Sequence, residues 1–276
     1  MRPFVITPGV KPSAWRPVAR TGLGAAPALG GLCWAVVAWE ARRARMGPRP
    51  YERPHRGDAL IGPVHQTPVR IAWLGDSLAA GLGADMVDDT PAHLVARMLE
   101  RAVHVTVLAV PGARVSHVLE QQVPQLDRGV DLVVVCAGAN DVAAARPRQR
   151  YAEELDDLLA ALAPIPTVVL SLPDMAMADR LAQPLRTLAG LRARWFETAR
   201  ARVASAHSHV TSVDIASRPA GLTRRAARTM LSADRFHPGA IGYRIWAERI
   251  ATECDRLLDA AAATTNAARQ RMAAFN

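Results

Sequence analysis

Residues 69–77 read Val69-Arg70-Ile71-Ala72-Trp73-Leu74-Gly75-Asp76-Ser77, an apolar run that ends in a glycine and places a serine just beyond it. A short apolar run bounded by glycine is typical of a buried β-strand. The serine hydroxyl is a poor nucleophile at neutral pH unless a base lies within hydrogen-bond reach and a carboxylate orients that base. Both groups occur near the other end of the chain, in Asp234-Arg235-Phe236-His237.

Four further apolar runs follow the first, and segments of helical period separate them. The strand-like runs cover residues 69–74, 103–110, 132–137, 167–172 and 209–215, and the helical segments cover residues 91–101, 114–123, 150–162, 185–206 and 239–262. This alternation predicts a parallel sheet with helices on both faces, joined by right-handed crossovers. The continuous apolar run Leu132-Val133-Val134-Val135 fits a strand that is buried on both sides.

Four polar blocks come directly after predicted strands or directly before the last predicted helix. They are Gly75-Asp76-Ser77-Leu78, Val110-Pro111-Gly112-Ala113, Gly138-Ala139-Asn140-Asp141 and Asp234-Arg235-Phe236-His237. Active sites on parallel sheets form in the loops at the carboxyl ends of the strands. We therefore expect the four blocks to meet at one edge of the sheet.

Taken in this order, the blocks resemble those of the SGNH hydrolases, also called the GDSL family of esterases and lipases. The resemblance covers about residues 68–255. It implies an α/β fold, a flavodoxin-like three-layer α/β/α arrangement around a five-stranded parallel sheet. It also implies acyl transfer from a carboxylic ester without a metal or a cofactor. The family includes lipases, lysophospholipases, arylesterases, carbohydrate deacetylases and acyltransferases, so the substrate stays open among a lipid, an acylated sugar and another small acyl ester.

The resemblance also assigns roles to individual residues. The nucleophile falls on Ser77, the base on His237 and the acid on Asp234. The oxyanion donors fall on the backbone N–H groups of Ser77 and Gly112 and on the side-chain amide of Asn140. The chemistry of these residue types agrees with the assignment, because an imidazole can take the serine proton and return it to the leaving alcohol. A neutral amide donor stabilises the charged intermediate more than the ground-state carbonyl.

Other residues could play some of these parts. Asp174 and Asp214 follow later strands and would supply the serine–acid–histidine order of α/β-hydrolases, but the Gly-x-Ser-x-Gly elbow of those enzymes is absent, which favours Asp234. Histidines 207 and 209 could share one face of a strand and bind a metal, although the sequence shows no third ligand. The stretch 172–177, with Arg180 and Leu181, could line an acyl pocket, and core packing explains its methionines equally well.

Three function hypotheses are carried forward. The first is a serine esterase that resolves its acyl-enzyme with water. The second keeps the same site but passes the acyl group to a sugar or glycerol hydroxyl, which makes the protein an acyltransferase. The third is a non-catalytic module that binds a ligand in the cleft, and the complete set of candidate catalytic residues argues against it.

Composition excludes several other classes. The chain has 34 basic and 25 acidic residues, a net charge of +9, and Lys11 is its only lysine. No zinc-finger spacing, helix-turn-helix signature or RNA-binding aromatic pair accompanies this charge, so we expect no nucleic-acid partner. The three cysteines, Cys33, Cys136 and Cys254, form no Cys-x-x-Cys motif, which argues against a disulfide framework and a metal site.

The N-terminal part of the sequence differs from the rest. Residues 21–39 carry no charge and have arginines on both sides, which predicts a membrane-spanning or interfacial anchor and a membrane-anchored protein. The arginines after this stretch outnumber the basic residues before it by a small margin, so the side of the membrane stays open. The expected divisions are a basic segment (1–20), the anchor (21–39), a Pro/Arg-rich linker (40–67), the catalytic domain (68–262) and a flexible tail (263–276).

Overall fold

The computed structural model describes residues 58–144, 146–217 and 224–273. The predicted basic segment, the candidate anchor 21–39 and residues 40–57 of the linker 40–67 lie outside these residues, as does Cys33. Within the three described ranges, no helix combines the length and the apolar character that crossing a bilayer requires.

Six strands form one sheet in this part of the chain. They are β1 (Ala59–Ile61), β2 (Val69–Gly75), β3 (Val103–Val107), β4 (Leu132–Cys136), β5 (Thr167–Leu170) and β6 (Val210–Val213), in the spatial order β1-β3-β2-β4-β5-β6. Strands β2 to β6 are parallel to one another, as the alternation of strands and helices predicted.

The predicted count of five strands was one too low. Strand β1 pairs antiparallel with β3 and lies inside the stretch expected to be linker. Its three residues, Ala59-Leu60-Ile61, are too few to give a periodic signal, and Leu60 is 55% exposed. The pairing partner, not the local sequence, therefore makes this segment a strand.

Seven helices connect or follow the strands in the described residues. They are α1 (Pro91–Met98), α2 (Val115–His117), α3 (Ala139–Ala143), α4 (Arg148–Leu162), α5 (Leu185–Ser205), α6 (Arg224–Ala227) and α7 (Ala240–Ala273). Helix α2 continues as a π-helical turn, Val118–Gln122, and a 3-10 turn, Val123–Gln125. Two further 3-10 turns, Met175–Met177 and Arg228–Met230, flank the region described below.

The last helix is longer than the sequence analysis predicted. Residues beyond 262 were expected to form a flexible tail, but α7 remains helical to Ala273. Alanine has the highest helix propensity of the common residues, and the alanine-rich end of α7 continues the helix for that reason.

The core has two layers, one on each face of the sheet. Along β2, Ile71 and Trp73 pack on the face covered by α1 and α7, whereas Ala72 and Leu74 pack on the face covered by α4 and α5. This alternation follows from the two-residue period of a strand. Because both faces are covered, the predicted three-layer α/β/α arrangement is confirmed, and the solvent reaches the sheet at the ends of its strands.

The end of β2 shows how the chain leaves the sheet. Gly75 has φ +140°, and a Cβ atom there would overlap the carbonyl oxygen of Cys136 on β4. Glycine therefore lets the two strands stay in contact to their last residues. The next backbone N–H, that of Asp76, donates to the same Cys136 carbonyl at 3.1 Å, and Ser77 follows in the turn outside the sheet.

Candidate active site

Three side chains from opposite ends of the domain form a hydrogen-bonded chain. Ser77 Oγ lies 3.0 Å from His237 Nε2, although the two residues are 160 positions apart. On the other side of the imidazole, His237 Nδ1 lies 2.6 Å from Asp234 Oδ2. The three residues that the resemblance assigned as nucleophile, base and acid are thus brought together in the predicted order.

The loop around Asp234 holds its carboxylate in one orientation. Asp234 Oδ1 accepts hydrogen bonds from the hydroxyl of Ser232 at 2.7 Å and from the backbone N–H groups of Phe236 and His237 at 2.8 and 2.9 Å. Partial burial by itself would raise the pKa of Asp234, but these donors and the His237 side chain outweigh it and hold the pKa well below its usual range. The carboxylate is therefore ionised at neutral pH and can only accept hydrogen bonds.

The ionised carboxylate also determines the tautomer of His237. Because Asp234 Oδ2 has no hydrogen to donate, the hydrogen of this bond belongs to His237 Nδ1. The other ring nitrogen, Nε2, is then a free acceptor and faces the hydroxyl of Ser77. This arrangement lets the imidazole take the serine proton.

Asn140 joins the turn after β4 to the turn after β2. Its side-chain amide donates to the carboxyl of Asp76 at 3.1 Å and to the carbonyl oxygen of Ala113 at 3.0 Å. Asp76 is buried and also accepts from the backbone N–H of Leu78 at 3.0 Å. Burial raises the pKa of Asp76 to about 7, although the hydrogen bond from Leu78 and the nearby His237 act in the opposite direction.

Two of the three assigned oxyanion donors are backbone groups, and both are available. Among the described residues, neither the N–H of Ser77 nor that of Gly112 has a hydrogen-bond partner, whereas the N–H groups of Asp76 and Leu78 on either side of Ser77 are both bonded. Gly112 is exposed at the carboxyl end of β3 and has φ +83°, a backbone conformation that favours glycine. The carbonyl oxygen of the next residue, Ala113, accepts a hydrogen bond from the Asn140 amide.

The rival residues make contacts of other kinds. Asp174 accepts from the backbone N–H of Ala176, and Asp214 accepts from Ser171, Ala216 and Ser217, so both carboxylates brace turns instead of meeting His237. His207 pairs with Asp156 at 2.8 Å and His209 with the carbonyl of Leu159 at 3.0 Å. Within the described ranges, no group of three or more metal-binding side chains occurs.

Ser77, Asn140 and His237 line a cleft whose volume, with its open mouth included, is about 960 Å³. Its walls are mainly apolar and include Met177, Met230, Ile245 and Trp246 as well as small residues of the turns. Residues 172–177, with Arg180 and Leu181, were the candidate acyl pocket. Of these, Pro173, Asp174, Met175 and Met177 line the cleft.

Three further residues support this site, and no motif in the sequence indicates them. Gly83 lies where a Cβ atom would collide with the backbone of Pro238 and the side chain of His237, so glycine lets the histidine loop approach the serine loop. Gln122 bonds the backbone at the end of β2. Asp179, with 8% of its side chain exposed, pairs with Arg186 on α5 at 2.6 Å and with Arg228 at 2.7 Å, and lies 3.6 Å from Arg235.

Gly83 and Gln122 contact segments that are distant in the sequence, and Asp179 does so through Arg228 and Arg235, so no local motif indicates these contacts. The Asp179 cluster ties α5 and the 3-10 turn at Arg228 to the loop that carries Asp234 and His237, because Arg235 lies between those two residues. A backbone bond between the Arg180 N–H and the Arg235 carbonyl, at 3.0 Å, reinforces the same connection.

Comparisons with known proteins agree with this architecture. Residues 73–245 match the GDSL-like Lipase/Acylhydrolase family. The GDSL-like esterase Rv1075c of Mycobacterium tuberculosis is 29% identical over 235 residues, which cover 77% of this chain and 74% of that protein. The lipase Lip_vut3 from a goat rumen metagenome is 18% identical with a TM-score of 0.52, over 66% of this chain and 95% of that chain. The lipase/acylhydrolase from Enterococcus faecalis is 21% identical with a TM-score of 0.52, over 68% of this chain and 95% of that chain.

Proposed function

Because this chain belongs to the GDSL-like lipase and acylhydrolase family and is a hydrolase that acts on esters, we propose that it cleaves carboxylic esters through Ser77, His237 and Asp234. One observation carries the proposal. The 3.0 Å contact between Ser77 Oγ and His237 Nε2 is continued by the 2.6 Å contact between His237 Nδ1 and Asp234, which is the geometry that activates a serine hydroxyl.

In the first half-reaction, Ser77 Oγ attacks the acyl carbon while His237 Nε2 takes the hydroxyl proton. Asp234 stabilises the imidazolium that forms, and His237 then gives the proton to the departing alkoxide, so an alcohol leaves and an acyl-enzyme remains. In the second half-reaction, water attacks the acyl-enzyme while His237 takes a proton from that water, and the carboxylic acid is released. The proton returns to Ser77 Oγ, so the enzyme ends as it began.

The negative charge that develops on the carbonyl oxygen needs donors. The N–H groups of Ser77 and Gly112 supply two, and the Asn140 amide supplies the third by exchanging one of its bonds within the protein for a bond to the oxyanion. A charged acceptor forms a stronger hydrogen bond than a neutral carbonyl does, so this exchange favours the tetrahedral intermediate.

The cleft indicates the kind of acyl group. Its lining is mainly apolar and includes Met177, Met230, Ile245 and Trp246 together with the candidate nucleophile. An aliphatic chain gains about 0.8 kcal/mol for each methylene that it buries. We therefore propose esters with an apolar acyl chain longer than acetyl as the substrates.

The test combines activity with labelling. The full chain and the Ser77→Ala variant are assayed with p-nitrophenyl esters, and both are treated with a fluorophosphonate whose attachment site is located by mass spectrometry. We expect hydrolysis by the native protein, label on Ser77, and neither in the variant. Label on another serine, or hydrolysis by Ser77→Ala at the native rate, would contradict the assignment. Adding glycerol or a sugar and analysing the products separates transfer to an alcohol from hydrolysis.

For residues 21–39 we propose attachment to a membrane, since the stretch is uncharged and has arginines on both sides. Removing residues 1–39 should move the protein from the membrane fraction to the soluble fraction without changing its rate on a water-soluble ester. An unchanged distribution between the two fractions would contradict this part of the proposal.

A further inference from the structure

Gln122 makes a pair of hydrogen bonds to a single backbone position, that of Gly75 at the end of β2. Its Oε1 accepts from the N–H of Gly75 at 2.7 Å, and its Nε2 donates to the carbonyl oxygen of Gly75 at 2.8 Å. Gln122 is 1% exposed, and Gly75 comes two residues before Ser77. A buried side chain thus forms two hydrogen bonds to the backbone two residues before the candidate nucleophile.

The sheet itself leaves this backbone position incompletely bonded. Strand β2 pairs with β3 only as far as Trp73, which is opposite Val107, the last residue of β3. After β3 ends, the N–H of Leu108 still donates to the Trp73 carbonyl at 2.9 Å, and the N–H of Val110 donates to the Gly75 carbonyl at 3.0 Å. The Gly75 N–H is satisfied by Gln122 instead of a neighbouring strand. The side-chain amide of Gln122 thus forms the hydrogen bond to the Gly75 N–H that a longer β3 would otherwise form.

The segment that carries Gln122 also contacts the turns of the other two assigned oxyanion donors, Gly112 and Asn140. It begins just after Gly112, and Ala113 accepts the bond from Asn140. The N–H of Val115 donates to the Asp141 carboxylate at 3.1 Å, which fastens the start of α2 to the turn after β4. Gln122 closes the π-helical turn Val118–Gln122, a rare and wide form of helix that often occurs at functional sites. One short segment therefore touches the Ser77, Gly112 and Asn140 turns.

We propose that Gln122 is a positioning residue for acyl transfer: it sets the spacing between the Ser77 turn and the Gly112 and Asn140 turns. The inference rests on the proposed function, because spacing matters only if these groups act on one substrate. Gln122 does not line the cleft, so it affects the reaction through Gly75 and not through contact with the ester.

The first test removes both hydrogen bonds with one substitution. Gln122→Met keeps the length and approximate volume of the side chain but leaves the Gly75 N–H without its partner. Small displacements of reacting groups can cost up to about 100-fold in rate, so we expect kcat and the rate of fluorophosphonate labelling to fall about 10- to 100-fold, with KM changed by less than about threefold.

An exposed glutamine in the loop between β1 and β2 provides a control. The side-chain oxygen of Gln66 accepts a hydrogen bond from the backbone N–H of Ala102, the residue before β3, at 3.2 Å. Gln66 does not line the cleft. Gln66→Met should leave kcat near the native value. A comparison of the thermal midpoints of the two variants shows whether any loss of rate in Gln122→Met exceeds what a general loosening of the sheet produces.

A second variant keeps the inference testable if Gln122→Met does not fold. In Gln122→Glu, a protonated carboxyl group can accept from the Gly75 N–H and donate to its carbonyl, whereas an ionised one can only accept. The ratio of its kcat to the native kcat at the same pH should therefore fall as pH rises from 6 to 9. A side chain that only fills space would leave the ratio constant.

The outcomes separate this inference from the function on which it rests. If the native protein labels on Ser77 and Gln122→Met labels and turns over at the native rate, Gln122 is only a packing residue. A flat ratio for Gln122→Glu across the pH range overturns the positioning role in the same way. If the native protein itself neither labels nor hydrolyses esters, the proposed function has failed.

Discussion

The side-chain amide of Asn140 donates a 3.1 Å hydrogen bond to the buried carboxyl of Asp76. Its second hydrogen goes to the carbonyl of Ala113, so both donor hydrogens of this side chain are engaged within the protein. A role in stabilising an oxyanion therefore requires one of these bonds to be exchanged during the reaction. Asp76 in turn joins the nucleophile turn to the Asn140 turn.

Asn140→Ala should lower kcat by about 100-fold or more and leave KM nearly unchanged, because the donor matters most when the carbonyl oxygen carries charge. Steady-state kinetics on a p-nitrophenyl ester measures both constants. A rise in KM by the same factor as the loss in kcat/KM would instead show that Asn140 binds the substrate in its ground state.

The stability of the domain should depend on the ionisation of Asp76. Its pKa is about 7 in the folded protein and 3.8 for an unperturbed carboxyl, so between these values the folded state holds a proton that the unfolded state has released. The free energy of unfolding should therefore fall as pH rises from about 4 to 7, by up to about 1.4 kcal/mol per pH unit from this group.

Urea denaturation at several pH values checks this, with Asp76→Asn as the comparison. The variant has no group to titrate, so its stability should change less over the same range. If the variant and the native protein show the same slope, the pH dependence comes from other groups.

Asp234→Asn should lower kcat by about 1,000-fold or more, because an amide facing His237 Nδ1 would favour the tautomer whose Nε2 cannot take the serine proton. Asp214→Asn is the matched control, since an asparagine oxygen can still accept from the turn that Asp214 braces. Its kcat should stay within about threefold of the native value. The reverse result would make Asp214 the acid.

Asp179→Ala should destabilise the loop that carries His237, since it leaves three arginines without the carboxylate that they share. We expect a loss of about 1–3 kcal/mol in the free energy of unfolding together with a lower kcat. Asp88→Ala removes an exposed pair with Arg97 and should leave both quantities nearly unchanged. Equal effects of the two substitutions would contradict the role of Asp179.

Narrowing the cleft should change the preference for acyl chains. Ile245→Trp adds bulk to a residue that lines it, so the ratio of kcat/KM for octanoyl over acetyl esters should fall by at least about tenfold. Ile241→Trp lies one turn earlier on α7, at a position that is 56% exposed, and should leave the ratio unchanged. A constant ratio in Ile245→Trp would place the acyl chain elsewhere.

Local patterns in the sequence were enough to predict the layers of the fold and the blocks that carry the chemistry. Strands β4 and β5 are nearly continuous apolar runs, and α4 has a regular stripe of leucines, because burial against the sheet selects apolar residues at these positions. Strand β1 and the helical end of α7 were missed. The first depends on a pairing partner, and the second on helix propensity in a stretch that has little apolar pattern.

The sequence by itself determined the residue types available for catalysis, since Ser77, Asn140, Asp234 and His237 lie in recognisable blocks whose members are close along the chain. Only the tertiary structure decided that Ser77 and His237 meet, that the amide of Asn140 turns to Asp76 and Ala113, and that Gln122 holds Gly75. The physical reason is that side-chain direction and hydrogen-bond choice depend on groups brought together by the sheet. Such contacts leave no period and no spacing in the chain from which they could be inferred.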